Sequence, residues 1–367
     1  MTAARLSAQG ATQVRIVGTG LLGTSIGLGL RALDLDVILA NRSPAALRLA
    51  IDYGAGRAAA AGDDPAIVVV AVSPDSTADL VAAQLEEFPN ALVTDVASVK
   101  SGILADLEAR GADVSRYLGS HPMAGRERGG AMSARADIFV GRPWVLTPHA
   151  GNTDEQFFTL ENLAVDLGSV PVRMSPDDHD RGVAFVSHVP QVVSSLLAAQ
   201  LVRADGTMTA LAGQGLRDTT RIAASDPELW LQILGQNSAP VGDVLRAFRD
   251  DLDGVIAALR DPHAPGAPTR LAAMLTRGNE GVGRIPGKHG SDARYASLVV
   301  QVADQPGELA RLLTEIGEEG VNMEDLRLEH SPGAQIGFAE IAVLPEVAAT
   351  LAEALQARGW QLAGGTS

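Results

Sequence analysis

The 367-residue chain has no cysteine. That absence removes disulfides, thiolate catalysis and cysteine-ligated metals together. Its seven histidines are scattered, with no His-x-x-x-His pair, so no metal site is expected. Positive charge is scarce: 29 basic residues face 44 acidic ones, for a net charge of −15. No basic block offsets this, and phosphates would be repelled, which argues against a nucleic-acid partner. The basic residues are almost all arginine; only Lys100 and Lys288 are lysines. No uninterrupted apolar run reaches the roughly 18 residues of a membrane span. Met1 to Gln13 has no apolar signal core. No membrane partner and a cytoplasmic location are therefore expected. What is present is 46% hydrophobic and 20% charged, enough for packed cores. At about 150 residues per domain, the length predicts two or three domains.

The first half alternates strands and helices. Val14–Val17, Val37–Ala40, Ile67–Val72, Ala91–Thr94, Trp144–Thr147 and Val170–Met174 read as strands. The β-branched run Ile67–Val72 suits a strand buried on both faces of a parallel sheet. Helical stretches between them, including Leu21–Leu33 and Asp75–Phe88, make βαβ units. Residues 1–174 are thus expected to form an α/β Rossmann-type doubly wound sheet. Residues 175–280 read as all-helical. Ser175-Pro176-Asp177-Asp178 supplies an N-cap, a first-turn proline and first-turn acids. The helix it starts runs past Ala199, with a kink at Pro190. Val241, Leu245, Phe248, Leu252, Val255, Ile256 and Leu259 form a core-facing stripe. A Gly-rich polar stretch, Gly278–Asp292, reads as a linker, with its bounds placed at 281–293. Residues 294–367 then read as βαββαβ, a ferredoxin-like plait.

Gly18-Thr19-Gly20-Leu21-Leu22-Gly23 follows the first strand and opens a helix, the context a dinucleotide loop requires. Gly18 permits the tight turn, Gly20 lets backbone approach a pyrophosphate, and Gly23 lets helix and strand pack closely. The N–H groups of Leu21 and Leu22 then face the phosphates. The second strand ends at Asn41-Arg42-Ser43, without the carboxylate that reads the ribose 2′-OH of NAD. Arg42 and Ser43 suit a 2′-phosphate; alternatively Asn41 bonds both ribose hydroxyls and Arg42 stacks on adenine. NAD and NADP both remain open. Ser73-Pro74-Asp75 and Asp95–Lys100 follow strand ends, where ligands of such sheets collect. His121, before Pro122 in a segment that ends a strand at Tyr117-Leu118, is placed to accept a hydroxyl proton. A surface or capping histidine is its other reading. His188 on an apolar helix reads as a core histidine when taken alone. Gly215–Arg221 reads as a polar turn, either internally paired or binding a carboxylate through an arginine fork.

The glycine loop, Ser98-Val99-Lys100, His121-Pro122-Met123-Ala124-Gly125, Ser187-His188-Val189-Pro190 and Arg221-Ile222-Ala223-Ala224-Ser225-Asp226-Pro227 occur in this order. Together they resemble the prephenate/arogenate dehydrogenase family of tyrosine biosynthesis, over roughly residues 12 to 277. The resemblance implies a nucleotide-binding domain joined to a helical dimerisation domain, hence a homodimer, with NAD or NADP as cofactor. It implies that His121 accepts the proton of the substrate 4-hydroxyl and that Ser98 holds imidazole and hydroxyl in register. Arg221 would anchor a carboxylate, and His188 would line the substrate pocket. Trp230 and Asp218 fall at family positions near that pocket. Arg126 either adds a carboxylate contact or faces solvent. The substrate it implies is prephenate, or alternatively arogenate. A β-hydroxyacid dehydrogenase would use a catalytic lysine, and 175–277 has none. A catalytically inactive nucleotide or amino-acid sensor is the reading from another class; Ser98, His121 and Arg221 argue against it. In the tail, Asp304-Gln305-Pro306-Gly307-Glu308-Leu309 resembles the D-x-P-G-x-L of ACT regulatory domains, and Asn322 the turn after their first helix. That implies an amino-acid effector held by Asp304, Pro306, Gly307 and Asn322, tyrosine first and phenylalanine second.

Overall fold

The computed structural model describes residues 5–8, 13–125, 130–285, 295–330 and 336–363. It divides into two compact units, 1–249 and 250–367.

The first unit is built on β1 (Gln13–Val17), β2 (Asp36–Ala40), β3 (Arg57–Ala58), β4 (Ile67–Val70) and β5 (Leu92–Asp95). These pair in parallel in the order β3-β2-β1-β4-β5. The strand order reverses between β1 and β4, the switch point at which such sheets bind ligands. Alternate residues of β4 serve opposite faces. Ile67 and Val69 join a core with Val14, Ile16, Val37 and Leu39. Val68 and Val70 join a second core with Val93 and Val99. Both faces are covered by helices, which is why the run is continuously apolar.

The later strands do not extend this sheet as expected. β6 (Gly119–Pro122), β7 (Pro143–Thr147) and β8 (Val170–Arg173) form a separate three-stranded sheet. β6 runs antiparallel to β7, and β7 parallel to β8. One bridge, Val93 to Tyr117, ties it to β5. His121 therefore sits within a strand, opposite Val145, and not in a loop. Pairing with β7 draws Gly119–Pro122 into extended backbone, even though its Gly and Pro have low strand propensity.

The expected long helix is present in three pieces: Pro176–Val183, a π-helical turn at Ala184–His188, and Val189–Gln200. Pro190 has no N–H to donate, and its ring clashes with the carbonyl four residues back, so the wider turn precedes it. By length and composition the stretch Pro176–Arg203 would pass as a membrane span, since an 18-residue window within it has a mean hydropathy of 1.4. That departs from the expectation based on uninterrupted runs. The stretch nevertheless carries His179, Asp180 and His188, all buried and hydrogen-bonded inside this unit. Residues 215–220 are also helical, within Gln214–Thr220, rather than a turn. Thr219 and Thr220 satisfy their hydroxyls on carbonyls four residues back, at 2.7 Å each. In the helix Ser238–Arg260, the stripe is only partly core-facing. Val241, Val244 and Leu245 pack inward, whereas Phe248, Leu252, Ile256 and Leu259 are exposed.

In the second unit, the helix Ala267–Val282 occupies the first residues of the expected linker. Arg277 pairs with Asp251 at 2.7 Å. Next come β9 (Ala296–Ala303), a helix Glu308–Glu318, β10 (Asp325–His330), β11 (Ile336–Val343), a helix Pro345–Ala357 and β12 (Gln361–Leu362). The sheet order is β10-β11-β9-β12, antiparallel throughout. Val300, Leu312, Ile316, Ile341, Leu351 and Leu355 are among the residues of its core.

Candidate active site

The glycine loop leaves β1 at Gly18, whose φ is 103°. A Cβ there would lie 2.2 Å from the Ala71 carbonyl oxygen, and one on Gly23 would lie 2.0 Å from that of Gly18. Both glycines are thus required by packing. Gly20 differs: a Cβ there would meet nothing within 4 Å. It borders open space at the head of the helix Leu21–Arg31. The first intrahelical bond shown is Thr24 N–H to Gly20 C=O, so the N–H groups of Leu21, Leu22 and Gly23 precede the ladder. A helix head with no side-chain cap and open space in front of it fits a dinucleotide pyrophosphate.

At the end of β2, the Asn41 amide donates to Thr19 Oγ1 at 2.6 Å and accepts from Ser43 N–H at 2.9 Å. Its nitrogen end is thus held against the glycine loop and its oxygen end by the turn that follows it. The Ser43 hydroxyl caps the helix Pro44–Asp52 by accepting from Ala46 N–H. Arg42 is exposed. Ser73 heads the helix Pro74–Glu87, and its hydroxyl makes no cap bond. The neighbouring Asp75 accepts from Gln236 at 3.1 Å, which ties this loop to the helix Pro227–Gln236.

His121 is buried on β6. Its Nδ1 lies 2.9 Å from His179 Nε2. His179 Nδ1 lies 2.8 Å from Asp180 Oδ1. The two carboxylate oxygens also accept from Lys100 N–H and Ser101 N–H, at 2.9 Å each. These contacts determine every proton position. A carboxylate only accepts, so His179 Nδ1 carries hydrogen. The neutral ring then accepts at Nε2, so His121 Nδ1 carries hydrogen. His121 Nε2 is left with its lone pair, the atom a base needs.

Electrostatics keeps both rings neutral. Burial pushes His121 well below its ordinary range, and charge on His179, Lys100 or His188 would repel protonation further. Burial also lowers His179, against the opposing pull of Asp180. Asp180 is held below the usual carboxylate range; burial opposes its charge, but the His179 and backbone hydrogen bonds outweigh that.

Beneath His121 lies a fully buried polar cluster. Lys100 pairs with Asp95 and donates to the Ser120 carbonyl at 2.7 Å. Tyr117 donates its hydroxyl to Asp95 at 2.7 Å. Lys100 thus pins the residue before His121 with its side chain and Asp180 with its backbone.

His188 lies in the π-helical turn. Asn237 donates to its Nδ1 at 3.0 Å and to the Asp180 carbonyl at 2.8 Å. His188 Nε2 is then the N–H donor, and it is buried with no hydrogen-bond partner. Burial lowers this imidazole to about 4. Trp230 packs edge-on against it, with centroids 5.9 Å apart. A buried donor without an acceptor is costly unless a ligand supplies the oxygen.

The structure thus joins His121 with His179, Asp180 and Lys100, and His188 with Trp230 and Asn237. Ser98 is half-buried between β5 and Lys100, and the bond that orients the His121 ring comes from His179 instead. Asp218 is exposed and accepts from Gln214 at 2.7 Å. Arg221 is exposed at the start of a short 3-10 turn, Arg221–Ala224. Arg126 lies outside the described residues. Sequence reasoning missed His179, Asp180 and Asn237. His179 and Asp180 directly follow the capping stretch Ser175–Asp178 and carry no signal of their own, and only contacts across 58 and 57 positions reveal their part.

The family described as prephenate dehydrogenase, nucleotide-binding domain, matches residues 30–172. The one described as prephenate dehydrogenase, dimerization domain, matches residues 175–276. The probable prephenate dehydrogenase NovF of Streptomyces niveus is 34% identical over 353 residues, 94% of this chain and 98% of that protein. The crystal structure of prephenate dehydrogenase from A. aeolicus, in complex with hydroxyphenyl propionate and NAD+, is similar at a TM-score of 0.65 and 25% identity. It covers 73% of this chain and 98% of its own. Synechocystis arogenate dehydrogenase is similar at a TM-score of 0.60 and 28% identity, over 73% of this chain and 99% of its own.

Proposed function

The chain belongs to the prephenate dehydrogenase family, and from that premise we propose that it oxidises prephenate to 4-hydroxyphenylpyruvate with NAD+ or NADP+. The observation that carries the reading is the neutral His121 imidazole, buried and held by His179 so that Nε2 keeps its lone pair. Prephenate is a cyclohexadiene with a 4-hydroxyl, a ring carboxylate and a pyruvyl side chain. The nicotinamide, when bound, supplies the hydride acceptor, its pyrophosphate held by Gly18–Gly23. His121 Nε2 accepts the 4-hydroxyl proton as C4 loses its hydride. The ring then sheds its carboxylate as CO2 and becomes aromatic, which makes the reaction irreversible. His188 offers its unpaired Nε2–H to a substrate oxygen. Arg221 anchors a substrate carboxylate through its planar fork, and Ser98 steers the hydroxyl. Trp230 walls the His188 side, and Asp218 with its neighbour Gln214 shapes the approach to Arg221.

The second reading is arogenate oxidation to tyrosine, favoured by the similarity to the Synechocystis enzyme. Reduced-nicotinamide absorbance, recorded with prephenate and arogenate against NAD+ and NADP+, decides both questions. Absence of turnover with either substrate would sink the dehydrogenase reading.

We further propose a homodimer formed through the exposed apolar stripe Phe248, Leu252, Ile256 and Leu259, tested by sedimentation. For the tail, we propose an ACT-like regulatory domain. The support is the βαββαβ order and the turn at Asp304-Gln305-Pro306-Gly307, where Gly307 takes a φ of 96° at the head of the helix Glu308–Glu318. Asp304, Pro306, Gly307 and Asn322 would hold tyrosine, or phenylalanine second. Asn322 in this structure donates to Glu324 at 3.0 Å, a contact the effector ammonium would rearrange. Activity of the full chain should fall with added tyrosine, and a chain ending near Gly283 should be indifferent to it.

A further inference from the structure

We propose that His179 and Asp180 are a proton-relay arm for His121, so that the proton taken from the substrate ends on His179 beside Asp180. The inference rests on the reading of His121 as the hydroxyl-proton acceptor. Its basis is the directed chain Asp180 to His179 to His121, with contacts of 2.8 and 2.9 Å. Lys100 and Ser101 N–H hold the Asp180 carboxylate, so the chain cannot reverse while Asp180 is ionised.

The substrate O–H bond breaks and an N–H bond forms at His121 Nε2. The His121 Nδ1–H bond breaks and one forms at His179 Nε2. His121 ends neutral, and His179 becomes an imidazolium with its Nδ1–H on Asp180. No electron moves in the relay; the hydride leaves C4 separately. When product departs, His121 loses the Nε2 proton to solvent and regains the Nδ1 proton from His179.

The transfer relieves a specific conflict. Both rings are buried and both face the Lys100 ammonium, but a cation on His121 would touch no carboxylate, whereas one on His179 is in contact with that of Asp180. Behind Lys100 lies the Asp95 carboxylate, to which the neutral Tyr117 hydroxyl donates. His179 touches no substrate in this scheme and acts only through His121.

The test uses the full chain with prephenate and its nicotinamide cofactor. His179→Gln keeps an oxygen to accept from His121 Nδ1–H but cannot carry the proton. We expect kcat to fall at least about tenfold, less than the loss of a whole acid-base group because His121 remains, with KM within about twofold. The rate in H2O/D2O mixtures should be bowed for the wild type, two protons moving, and linear for the variant. His179→Ala should be weaker still and regain rate with added imidazole. Wild-type kcat in His179→Gln, a bowed dependence that persists in it, or no imidazole rescue of a folded His179→Ala would overturn the relay. If the unaltered protein fails to oxidise prephenate at all, the functional reading fails instead.

Discussion

Asn237 donates one side-chain N–H to His188 Nδ1 and the other to the Asp180 carbonyl, so a single amide sets the tautomer of one histidine and braces the segment carrying another. Because Nδ1 is occupied as an acceptor, the buried Nε2 of His188 must present hydrogen to the site. Asn237→Leu removes that constraint at similar volume. The expected result is a several-fold rise in KM for the cyclohexadiene substrate with nicotinamide affinity unchanged. Equal Michaelis constants in variant and parent would separate His188 from substrate binding.

His188 also gives stability a pH dependence. Its folded value, about 4, lies below the 6.5 of an exposed imidazole. The unfolded chain therefore binds the proton first as pH falls. Stability is full above about 6.5, declines between there and about 4, and then levels off. The loss is on the order of 3 kcal/mol for this group. His121 and His179 shift in the same direction and deepen the decline. Urea midpoints measured from pH 7.5 down to 4.5 should fall; a flat profile contradicts the buried neutral cluster.

His121→Asn removes the base while keeping a small polar side chain. Turnover should drop by about a hundredfold or more, with nucleotide binding near normal by fluorescence titration. Turnover like that of the parent would take His121 out of the mechanism.

Arg221→Gln should weaken substrate binding by about 2 kcal/mol, the scale of a lost charged hydrogen bond. Cofactor affinity should hardly move. An unchanged substrate KM counts against the anchor.

Asn41→Asp should turn cofactor preference toward NAD+. The carboxylate can accept from both Thr19 Oγ1–H and Ser43 N–H, the groups Asn41 already touches. It would repel a 2′-phosphate and accept from a 2′-OH. If the ratio of NAD+ to NADP+ efficiency stays put, the adenosine ribose is read by other residues.

The sequence by itself determined the parts that depend on near neighbours. The β-branched run at β4 announced a strand buried on both faces, because backbone pairing and side-chain alternation are local. Gly18, Gly20 and Gly23 announced a dinucleotide loop, because the turn, the approach and the close packing each leave a mark at a prescribed spacing. Pro190 announced an interruption of the helix, since a missing N–H is a property of one residue. The tertiary structure alone decided what those elements do to one another. It placed His121 in a strand by pairing it with β7. It made the interruption a π-helical turn, and it put His188 within reach of Asn237, 49 positions away. It also brought His179 to His121, and buried Lys100 where its side chain holds Ser120 and its backbone Asp180, the neighbours of the two. Proton positions in such a cluster follow from which acceptor faces which ring, and burial sets whether the rings are charged. Both depend on contacts between distant segments, which residue order does not display.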